Sequence, residues 1–412
     1  MSADSTQNDE ERKRLKRLRI MFVTNGSRPL GEQDQFLGYA RRFAAVHHLS
    51  ILFIFPVDGD DPNIMEFQRL GVEVRSLGSR SRLSALTIYK TFRHFQAFQP
   101  DIIHSQHPVA GVNAKLAGSL FRRVNPAVKV ICEQRNMPGG LSPFARWLEY
   151  LTFGLADVVL CSSSRVEISY FGSSKELNVD TFSPKARKHY TFYNSVDPDV
   201  SGFRRADRVI AREVFRSEWS FDVDDFVFVS VAKLTKQKDY PALISGFAKA
   251  RELVAGLALK LLCVGEGPER AGLERLIQDL ALEEHVVLAG YRADVPGILS
   301  AADGFVLTSL WEGLPKALLE AMTVPLPCIA TEVSGTEEVI RHGVDGVLIA
   351  PGDKHGCAEA MVLLASDSSF RRTLRENAAE RVKLFTVSNQ ARTLLGIYER
   401  LCANSTEAVS QT

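Results

Sequence analysis

Two glutamates, Glu312 and Glu320, flank the start of a helix-like segment that reads LWEGLPKALLEAMTV over residues 310–324. Pro315 suits the first position of a helix, because its missing N–H has no partner to lose there. The main-chain amides of residues 313–316 are therefore expected to point out of the helix start, where free amides and the helix dipole attract phosphate. The pattern predicts a phosphate site formed by Gly313, Leu314 and Pro315.

The two carboxylates indicate what else such a ligand would carry. Glu320 is expected about 8 Å along the helix axis, whereas Glu312 lies in the loop before the helix. Carboxylates beside a phosphate are favourable only if they accept hydrogen bonds from hydroxyl groups. The pattern thus indicates a ligand with hydroxyl groups on both sides of a pyrophosphate, as in a nucleotide sugar. An ordinary amphipathic helix with solvated glutamates is the alternative.

Two lysines in the segment VAKLTKQKDY, Lys233 and Lys238, could both reach that phosphate. At an effective dielectric constant near 20, one cation about 4 Å from a phosphate contributes on the order of 4 kcal/mol. Enzymes lower barriers by roughly 8–23 kcal/mol, and two cations with a helix dipole reach the lower part of that range. The acidic DGDD at residues 58–61 is interpreted as a surface turn. We therefore predict neither a metal nor a cofactor.

Short apolar runs alternate with segments of helical period in both halves of the chain, which is typical of βαβ units and parallel sheets. The predicted fold class is α/β, with two doubly wound Rossmann-like domains. In the first half, strands are predicted at 19–24, 51–55, 101–104, 129–132 and 157–161, and helices near 34–46, 83–98, 108–122 and 142–155. In the second half, strands are predicted at 226–232, 259–265, 285–290, 304–308, 327–331 and 346–350.

A polar segment from about residue 173 to 220 separates the two halves. A final helix is predicted from Val387 to Leu401, and the small polar residues after Ala403 favour disorder. The predicted organisation is a flexible basic arm at 1–18, a first domain at 19–197, a second domain at 198–384, a helix at 385–403 and a disordered tail at 404–412.

Ligands of doubly wound sheets bind outside the carboxyl ends of the strands, and two such domains in series are expected to face each other across a cleft. Each polar or glycine residue that follows a strand is as readily a turn residue, but together they predict one site. The GEGP sequence at 265–268 is expected to form a tight turn that lets a base or phosphate approach the main chain. The strand-end candidates are Gly26, Gly31, His104, His107, Lys233, Lys238, Gly265, Glu266, Gly267, Tyr291, Arg292 and Glu312.

Charge and cysteine content exclude several classes of function. The 412 residues carry 50 Lys and Arg against 49 Asp and Glu, so the chain has no overall positive charge for binding nucleic acid. Its six cysteines are scattered without the paired spacing of a zinc site or a disulfide framework, and they are expected to be reduced core residues. No apolar stretch resembles a signal peptide or a membrane span. The predicted location is cytoplasmic.

Six basic residues crowd into residues 12–19, just before the first predicted strand. At about 1 kcal/mol per basic residue near an anionic surface, this arm would give reversible adhesion to anionic lipid. The predicted protein is therefore peripheral at the cytoplasmic face of a membrane. A solvated arm is the alternative.

Sequence blocks of the second half occur in the order found in a known family: VAKLTKQKDYPALISGFAKA, LLCVGEGPER, VVLAGYRADVPGILSAADGFVLTS, WEGLPKALLEAM and TEVSGTEEVI. Over residues 226–350 the chain resembles the retaining glycosyltransferases of the GT-B fold. Their large family, glycosyltransferase family 4 of the group 1 type, includes sucrose synthases and bacterial lipopolysaccharide mannosyltransferases. The resemblance implies a UDP- or GDP-sugar donor and a C-terminal helix that crosses back onto the first domain.

The same resemblance implies roles for the residues noted above. Glu320 would bond ribose hydroxyls and Glu312 the transferred sugar. Lys233 and Lys238 would hold the pyrophosphate, whose leaving oxygen would itself take the proton of an acceptor that attacks from the front face. Catalysis would then depend on positioning and electrostatics.

The first half, over residues 19–197, resembles the family less closely. Residues 30–33 read LGEQ where relatives have a Gly-Gly-Ala-Glu type of loop, which leaves Gly31 to approach the diphosphate. Arg135 stands where many relatives have a histidine near the sugar, and it could bind phosphate instead. His107 could supply an imidazole, although a lone loop histidine is more often structural. Lys233 replaces a common arginine, which keeps the charge but loses bidentate contact.

These observations predict a glycosyltransferase that moves a hexose from a nucleotide sugar, with UDP favoured over GDP, to a lipid-linked or polysaccharide acceptor in cell-surface glycan synthesis. Two alternatives remain open. A nucleotide-sugar epimerase would consume UDP-sugar without releasing UDP. A non-catalytic nucleotide-sugar sensor or scaffold would fit the altered loop at 30–33 and Arg135.

Overall fold

The structure is a computed structural model that describes residues 17–26, 34–81, 83–135, 137–197, 205–254 and 256–409. The chain divides into two compact units. Unit 1 consists of Met1–Tyr193 and Val387–Thr412, and unit 2 consists of Asn194–Thr386. The chain therefore changes unit after Tyr193 and again after Thr386.

Unit 1 contains a seven-stranded sheet in which every strand is parallel to its neighbours, in the order β3-β2-β1-β4-β5-β6-β7. Its strands are β1 (Arg19–Thr24), β2 (His48–Phe53), β3 (Glu73–Ser76), β4 (Ile102–Gln106), β5 (Lys129–Gln134), β6 (Val158–Cys161) and β7 (His189–Thr191). Its first helices are α1 (Asp34–Phe43), α2 (Pro62–Arg69), α3 (Ala85–Phe98), α4 (Pro108–Phe121), α5 (Pro143–Thr152) and α6 (Ser164–Phe171).

Both faces of this sheet are buried, which explains why its central strands are continuous apolar runs. Ile20 and Phe22 of β1 enter one hydrophobic cluster, whereas Met21 and Val23 enter a second cluster on the opposite face. The strand order reverses between β1 and β4. Ligands of doubly wound sheets bind at such a reversal, outside the carboxyl ends of the strands.

Unit 2 has a second all-parallel sheet of six strands, in the order β10-β9-β8-β11-β12-β13, with its reversal between β8 and β11. Its strands are β8 (Phe226–Val231), β9 (Leu259–Val264), β10 (Val286–Gly290), β11 (Gly304–Leu307), β12 (Cys328–Thr331) and β13 (Val347–Ile349). Its helices are α7 (Arg205–Glu218), α8 (Tyr240–Leu253), α9 (Arg270–Asp279), α10 (Val295–Ala301), α11 (Lys316–Thr323), α12 (Ser334–Glu337), α13 (Lys354–Ser366) and α14 (Ser368–Arg381).

The last helix, α15 (Val387–Val409), belongs to unit 1. Leu394 and Tyr398 of this helix lie in the same hydrophobic cluster as Phe36 of α1. The two helices meet closely at Gly38, where a Cβ atom would stand 2.6 Å from a methyl carbon of Val387. The apolar face of α15 is therefore part of the core of unit 1.

Several elements differ from the sequence predictions. Residues 404–409 continue α15, so the predicted disordered tail is wrong over these positions. The polar segment at 173–220 contains strand β7 and helix α7. His104 lies inside β4 rather than after it. The five residues of the basic arm at 12–16 and the loop at 30–33 lie outside the described residues.

Candidate functional site

An ion pair between Lys238 and Glu312 stands at the reversal point of the unit 2 sheet. Lys238 ends a 3-10 turn, Lys236–Lys238, in the connection that follows β8, and Glu312 lies in the loop that follows β11. The Lys238 ammonium contacts Oε1 of Glu312, and Ser309 Oγ donates to the same oxygen at 2.6 Å. Glu312 is 6% exposed. The strand-end placement predicted from the sequence thus brings these two side chains together.

Hydrogen bonds fix the two loops that carry this pair. The Thr308 hydroxyl donates to the carbonyl oxygens of Lys238, at 3.0 Å, and Asp239, at 3.1 Å. The Leu310 amide donates to the carbonyl of Gln237 at 2.8 Å. Because each loop supports the other, the ammonium and the carboxylate are held in place before any ligand arrives.

The start of α11 offers main-chain amides to a ligand. Pro315 occupies the N-cap position, and the helix begins at Lys316, one residue later than predicted. Its N-cap residue makes no side-chain capping hydrogen bond. The amides of a first helical turn have no acceptor within their own helix and attract anions. The helix start that the predicted phosphate site requires is therefore present in the structure. Glu320 lies one turn beyond Lys316, and the distance between Lys316 Nζ and Glu320 Oε1 is 3.6 Å.

Two contacts that the sequence analysis missed hold the loop before α11. Asn194 donates from Nδ2 to the carbonyl of Leu314 at 3.0 Å. Gly335 packs against Gly313 so closely that a Cβ at 335 would stand 2.4 Å from the Gly313 carbonyl oxygen. The motif that contains Gly335, TEVSGTEEVI, was the available signal for the second contact. Asn194 has no comparable local signal.

The glycines of the GEGP turn allow another part of the main chain to approach closely. Gly265 has a φ of 144°, and a Cβ there would lie 2.0 Å from the carbonyl oxygen of Ala232. At Gly267 the corresponding contact is 2.2 Å from the carbonyl oxygen of Leu234. The main chain that approaches these glycines is the loop after β8. The glycines thus bring that loop, and Lys238 with it, against the end of β9.

Three other predicted residues of unit 2 do not join the Lys238–Glu312 pair through any contact in the described part of the chain. Lys233 is exposed. Glu266 forms an ion pair with Arg270, with the Nη1–Oε1 distance at 2.9 Å. Arg292 follows the edge strand β10, where Glu218 and Asp294 bind its guanidinium. It is therefore engaged away from the reversal point.

In unit 1, His107 follows β4 at the reversal point of the sheet. Its φ of 72° and ψ of 149° lie in a region that is nearly restricted to glycine. The side chain is buried, with 6% exposure. Strained backbone persists where the surroundings fix it, and it is concentrated at functional sites. Gly31, the other predicted residue at this edge, lies outside the described residues.

Arg135 ends a buried polar chain that the sequence analysis did not predict. Its Nη2 donates to Oε2 of Glu133 at 3.1 Å. The other carboxylate oxygen of Glu133 lies 3.0 Å from Nε2 of His104, and Nδ1 of His104 shares a 2.5 Å hydrogen bond with the Tyr398 hydroxyl. Burial raises the pKa of Tyr398, so this hydroxyl stays protonated. The chain anchors Arg135 at the carboxyl end of β5.

Glu133 is expected to make the stability of unit 1 depend on pH. Burial alone would raise the pKa of this carboxyl, but Arg135 and His104 lower it from about 4.5 to about 2. A carboxyl whose pKa is lower in the folded protein than in the unfolded chain stabilises the fold at pH values above its pKa in the unfolded chain. This stabilisation is lost as the pH falls towards the pKa in the folded protein. The contribution, about 3 kcal/mol, should therefore disappear between pH 4.5 and 2.

Urea unfolding of wild type and Glu133→Gln at several pH values measures this contribution. The wild-type advantage over Glu133→Gln should shrink as the pH falls from 5 to 3. Glu73→Gln, which changes an exposed glutamate of β3, is the matched control and should follow the wild type. A constant difference between wild type and Glu133→Gln across this window would contradict the assignment.

Neither a metal cluster nor a membrane span is found in the part of the chain that the structure describes. There, no group of three or more His, Cys, Asp and Glu side chains is placed to hold a metal ion. Likewise, none of the described helices combines the length and apolar composition needed to cross a bilayer.

Family models match both units. A model described as glycosyl transferases group 1 matches residues 211–381, in unit 2. A model described as a glycosyl transferase 4-like domain matches residues 32–168, in unit 1. These matches confirm the family predicted from the ordered sequence blocks.

Curated relatives and solved structures agree with this result. The N-acetyl-alpha-D-glucosaminyl L-malate synthase of Bacillus anthracis is 33% identical over 192 residues, which are 47% of this chain and 48% of the relative. The UDP-Gal:alpha-D-GlcNAc-diphosphoundecaprenol alpha-1,3-galactosyltransferase of Escherichia coli is 35% identical over 147 residues, which are 35% of this chain and 38% of the relative. The chain thus spans about half or less of the length of these two relatives.

A crystal structure of Anabaena HepE in complex with UDP and glucose superimposes with a TM-score of 0.75 at 19% identity, covering 93% of this chain and 99% of that one. At this identity the likeness shows the fold alone. It confirms the predicted fold class, in which the chain forms two doubly wound α/β units.

Proposed function

The chain belongs to the group 1 glycosyltransferases and has the GT-B fold, and we propose that it transfers a hexose from a UDP-sugar to a lipid-linked or polysaccharide acceptor. In this proposal the anomeric configuration is retained and no divalent metal takes part. The name of the Escherichia coli relative includes a UDP-sugar and a diphosphoundecaprenol-linked sugar, and HepE was crystallised with UDP and glucose. Both support a UDP donor, and the first supports a lipid-linked acceptor.

One observation carries the proposal. The strand order of the unit 2 sheet reverses between β8 and β11, and the loops after these two strands carry the Lys238–Glu312 pair and lead to the start of α11. The pyrophosphate of the donor would bind the amides at this helix start. An ammonium has three N–H donors, so its contact with Glu312 leaves Lys238 able to bind a phosphate oxygen as well. Glu320 would accept hydrogen bonds from the ribose.

In the proposed reaction, the bond between the anomeric carbon and the β-phosphate oxygen breaks while the acceptor oxygen attacks the same face of the sugar. The departing phosphate oxygen takes the acceptor proton, so no separate protein base is required. Negative charge grows on the pyrophosphate during this step. The preorganised ammonium and helix amides stabilise that charge, which is the usual source of a large electrostatic contribution to catalysis.

We expect UDP at about 100 times its dissociation constant to add about 2.7 kcal/mol to the unfolding free energy. Glu320→Ala should lose most of this protection because the ribose loses its carboxylate partner. A thermal-shift series with UDP and GDP measures the effect, and Glu283→Ala, which changes an exposed glutamate, is the control. Release of UDP from UDP-glucose with and without EDTA tests turnover, and EDTA should leave the rate unchanged.

The possible results separate the alternatives. Protection by GDP but not by UDP would overturn the donor assignment. Protection without nucleotide release, with every acceptor tried and with water, would indicate a non-catalytic scaffold. A rate that falls in EDTA and returns with added Mg²⁺ would contradict metal-independent transfer.

A further inference from the structure

Helix α5 buries a glutamate and a threonine and exposes large apolar residues. Glu149 and Thr152 are buried, with 0% and 2% exposure. Phe144, Trp147 and Leu151 are exposed by 66%, 58% and 62%. A helix that faces water shows the opposite arrangement. An exposed apolar face on a folded protein usually marks a site that binds another protein, a ligand or a membrane.

A buried ion pair fixes the helix in this orientation. Glu149 accepts a 2.7 Å hydrogen bond from Lys115 of α4, and both side chains are 0% exposed. Gln134 donates to the same glutamate oxygen at 3.0 Å. Rotating α5 to bury its apolar residues would bring Glu149 into water and leave Lys115 buried without its partner. The exposed apolar face is therefore a built feature of unit 1.

The exposed residues form one patch, which we call the aromatic face. Phe144 and Trp147 stack with ring centroids 6.0 Å apart. Tyr150, which is 44% exposed, packs against Tyr170 of α6 at 5.8 Å and so joins the neighbouring helix. The aromatic face consists of Phe144, Trp147, Tyr150 and Leu151 of α5 and Ile168 of α6.

The charges of α5 and α6 are sorted around this face. The acidic residues of the two helices, Glu149 and Glu167, have side chains that are 0% exposed and form ion pairs with Lys115 and with Arg187. Arg146 and Arg165 are exposed. The two helices therefore present apolar and cationic groups outward and no carboxylate. This combination complements an anionic phospholipid surface.

We propose that the aromatic face docks in the headgroup region of an anionic phospholipid bilayer. Trp and Tyr are suited to that region because their rings have an apolar body and a polar edge. A 3-10 turn, Pro138–Gly140, and Ser142, whose hydroxyl caps α5, connect the helix to the strand that ends beside Arg135. Docking would therefore bring the carboxyl edge of the unit 1 sheet to the membrane. At the membrane, this edge could receive a lipid-linked acceptor. Only this step rests on the proposed function.

Sedimentation with vesicles of phosphatidylglycerol and phosphatidylethanolamine tests the docking. The double variant Phe144→Ser/Trp147→Ser should bind at least tenfold more weakly than the wild type. The control is Leu86→Ser/Tyr89→Ser on α3, which removes residues of similar exposure, 61% and 53%, and should bind normally. Arg146→Glu should weaken binding to these vesicles but not the weaker binding to phosphatidylcholine vesicles. All variants keep the basic arm, so its contribution cancels.

Three results would overturn the docking: equal vesicle binding by the Phe144→Ser/Trp147→Ser variant and the wild type, an equal loss in the α3 control, or a wild-type dimer in solution that this variant dissociates. The last would assign the face to a second copy of the chain. A second measurement separates this inference from the proposed function. UDP released by slow hydrolysis of UDP-glucose is measured without vesicles for the wild type and for the Phe144→Ser/Trp147→Ser variant. If neither protein releases UDP but the variant still loses vesicle binding, the docking stands and the glycosyltransferase proposal fails.

Discussion

Replacing Lys238 with methionine is expected to lower the rate of UDP release from a UDP-sugar by about 10²–10³-fold. One cation about 4 Å from a phosphate is worth on the order of 4 kcal/mol at an effective dielectric constant near 20. Each 1.36 kcal/mol, approximately, is a tenfold change in rate, so the full loss would be about 10³-fold. Because the charge on the pyrophosphate grows in the transition state, most of the effect should fall on kcat rather than on KM.

Lys236→Met is the matched control for this experiment. Lys236 begins the same 3-10 turn and is exposed, so its loss changes the net charge equally but should leave the rate within about twofold, as for surface changes remote from a site. Equal kcat/KM values for the two variants would remove Lys238 from the site. Thermal unfolding of both variants shows whether the fold is intact.

Glu312 complicates the interpretation of Lys238→Met, because a buried carboxylate loses its cation in that variant. The double variant Lys238→Met/Glu312→Gln removes this unpaired charge. If the single variant were slow only because Glu312 disturbs the loop, the double variant would regain activity. We expect it to stay slow, since neither change restores the positive charge beside the pyrophosphate.

The central strands of both sheets could be predicted because parallel strands buried on both faces are continuous apolar runs. The strands that the sequence analysis missed lie at the edges. β3 reads EVRS, and three of its four residues are exposed. β7 has three residues, HYT, and ends the other side of the same sheet. β3 is mostly exposed and β7 has only three residues, so the sequences of these two strands differ little from that of a loop.

The sequence identified Lys238 and Glu312 as separate candidates for the unit 2 site, but it could not predict that they form an ion pair. Lys238 and Glu312 are 74 positions apart, and they meet because β8 and β11 are neighbours in the sheet. That adjacency depends on the reversal of strand order, which no local pattern encodes. The supporting contacts of Asn194 and Gly335 likewise depend on tertiary packing. The helix start itself was visible, since proline marks the beginning of a helix by a local rule.

The buried chain behind Arg135 shows the same limit in unit 1. The sequence identified Arg135 as a departure from the family pattern. It could not show that Glu133 holds this arginine, or that His104 connects Glu133 to the last helix. The contact between Glu133 and His104 requires β4 and β5 to pair in one register, and the contact with Tyr398 requires the final helix to pack on this sheet. A register is fixed by the packing of whole strands.

The largest expected effect on stability is that of Lys115→Met. Lys115 and Glu149 are both fully buried, and the lysine also lies over the ring of Phe153 at 4.6 Å from its centroid. Removing one member of a buried ion pair typically costs 3–5 kcal/mol, because the remaining charge is left without a partner in a region of low dielectric constant. We expect Lys115→Met to lose about that much unfolding free energy in urea.

The reason for the loss can be tested by a second change. Replacing both residues, as in Lys115→Met/Glu149→Leu, removes the isolated charge and should recover most of the lost stability. Lys90→Met, at an exposed position of α3, is the control and should change the unfolding free energy by less than about 0.5 kcal/mol. If the double variant were as unstable as the single one, packing around Lys115 rather than its charge would be responsible.

The pH dependence of the single variant gives an independent check. Burial already raises the pKa of Glu149 in the presence of Lys115, and removal of the lysine should raise it further. When burial raises the pKa of a carboxyl in the folded protein, the carboxyl lowers the unfolding free energy least when it is protonated. The loss caused by Lys115→Met should therefore be smaller at pH 5 than at pH 8. Since the same pair fixes the orientation of α5, the double variant is also expected to bind vesicles less tightly than wild type, because the helix is then free to turn its aromatic face inward.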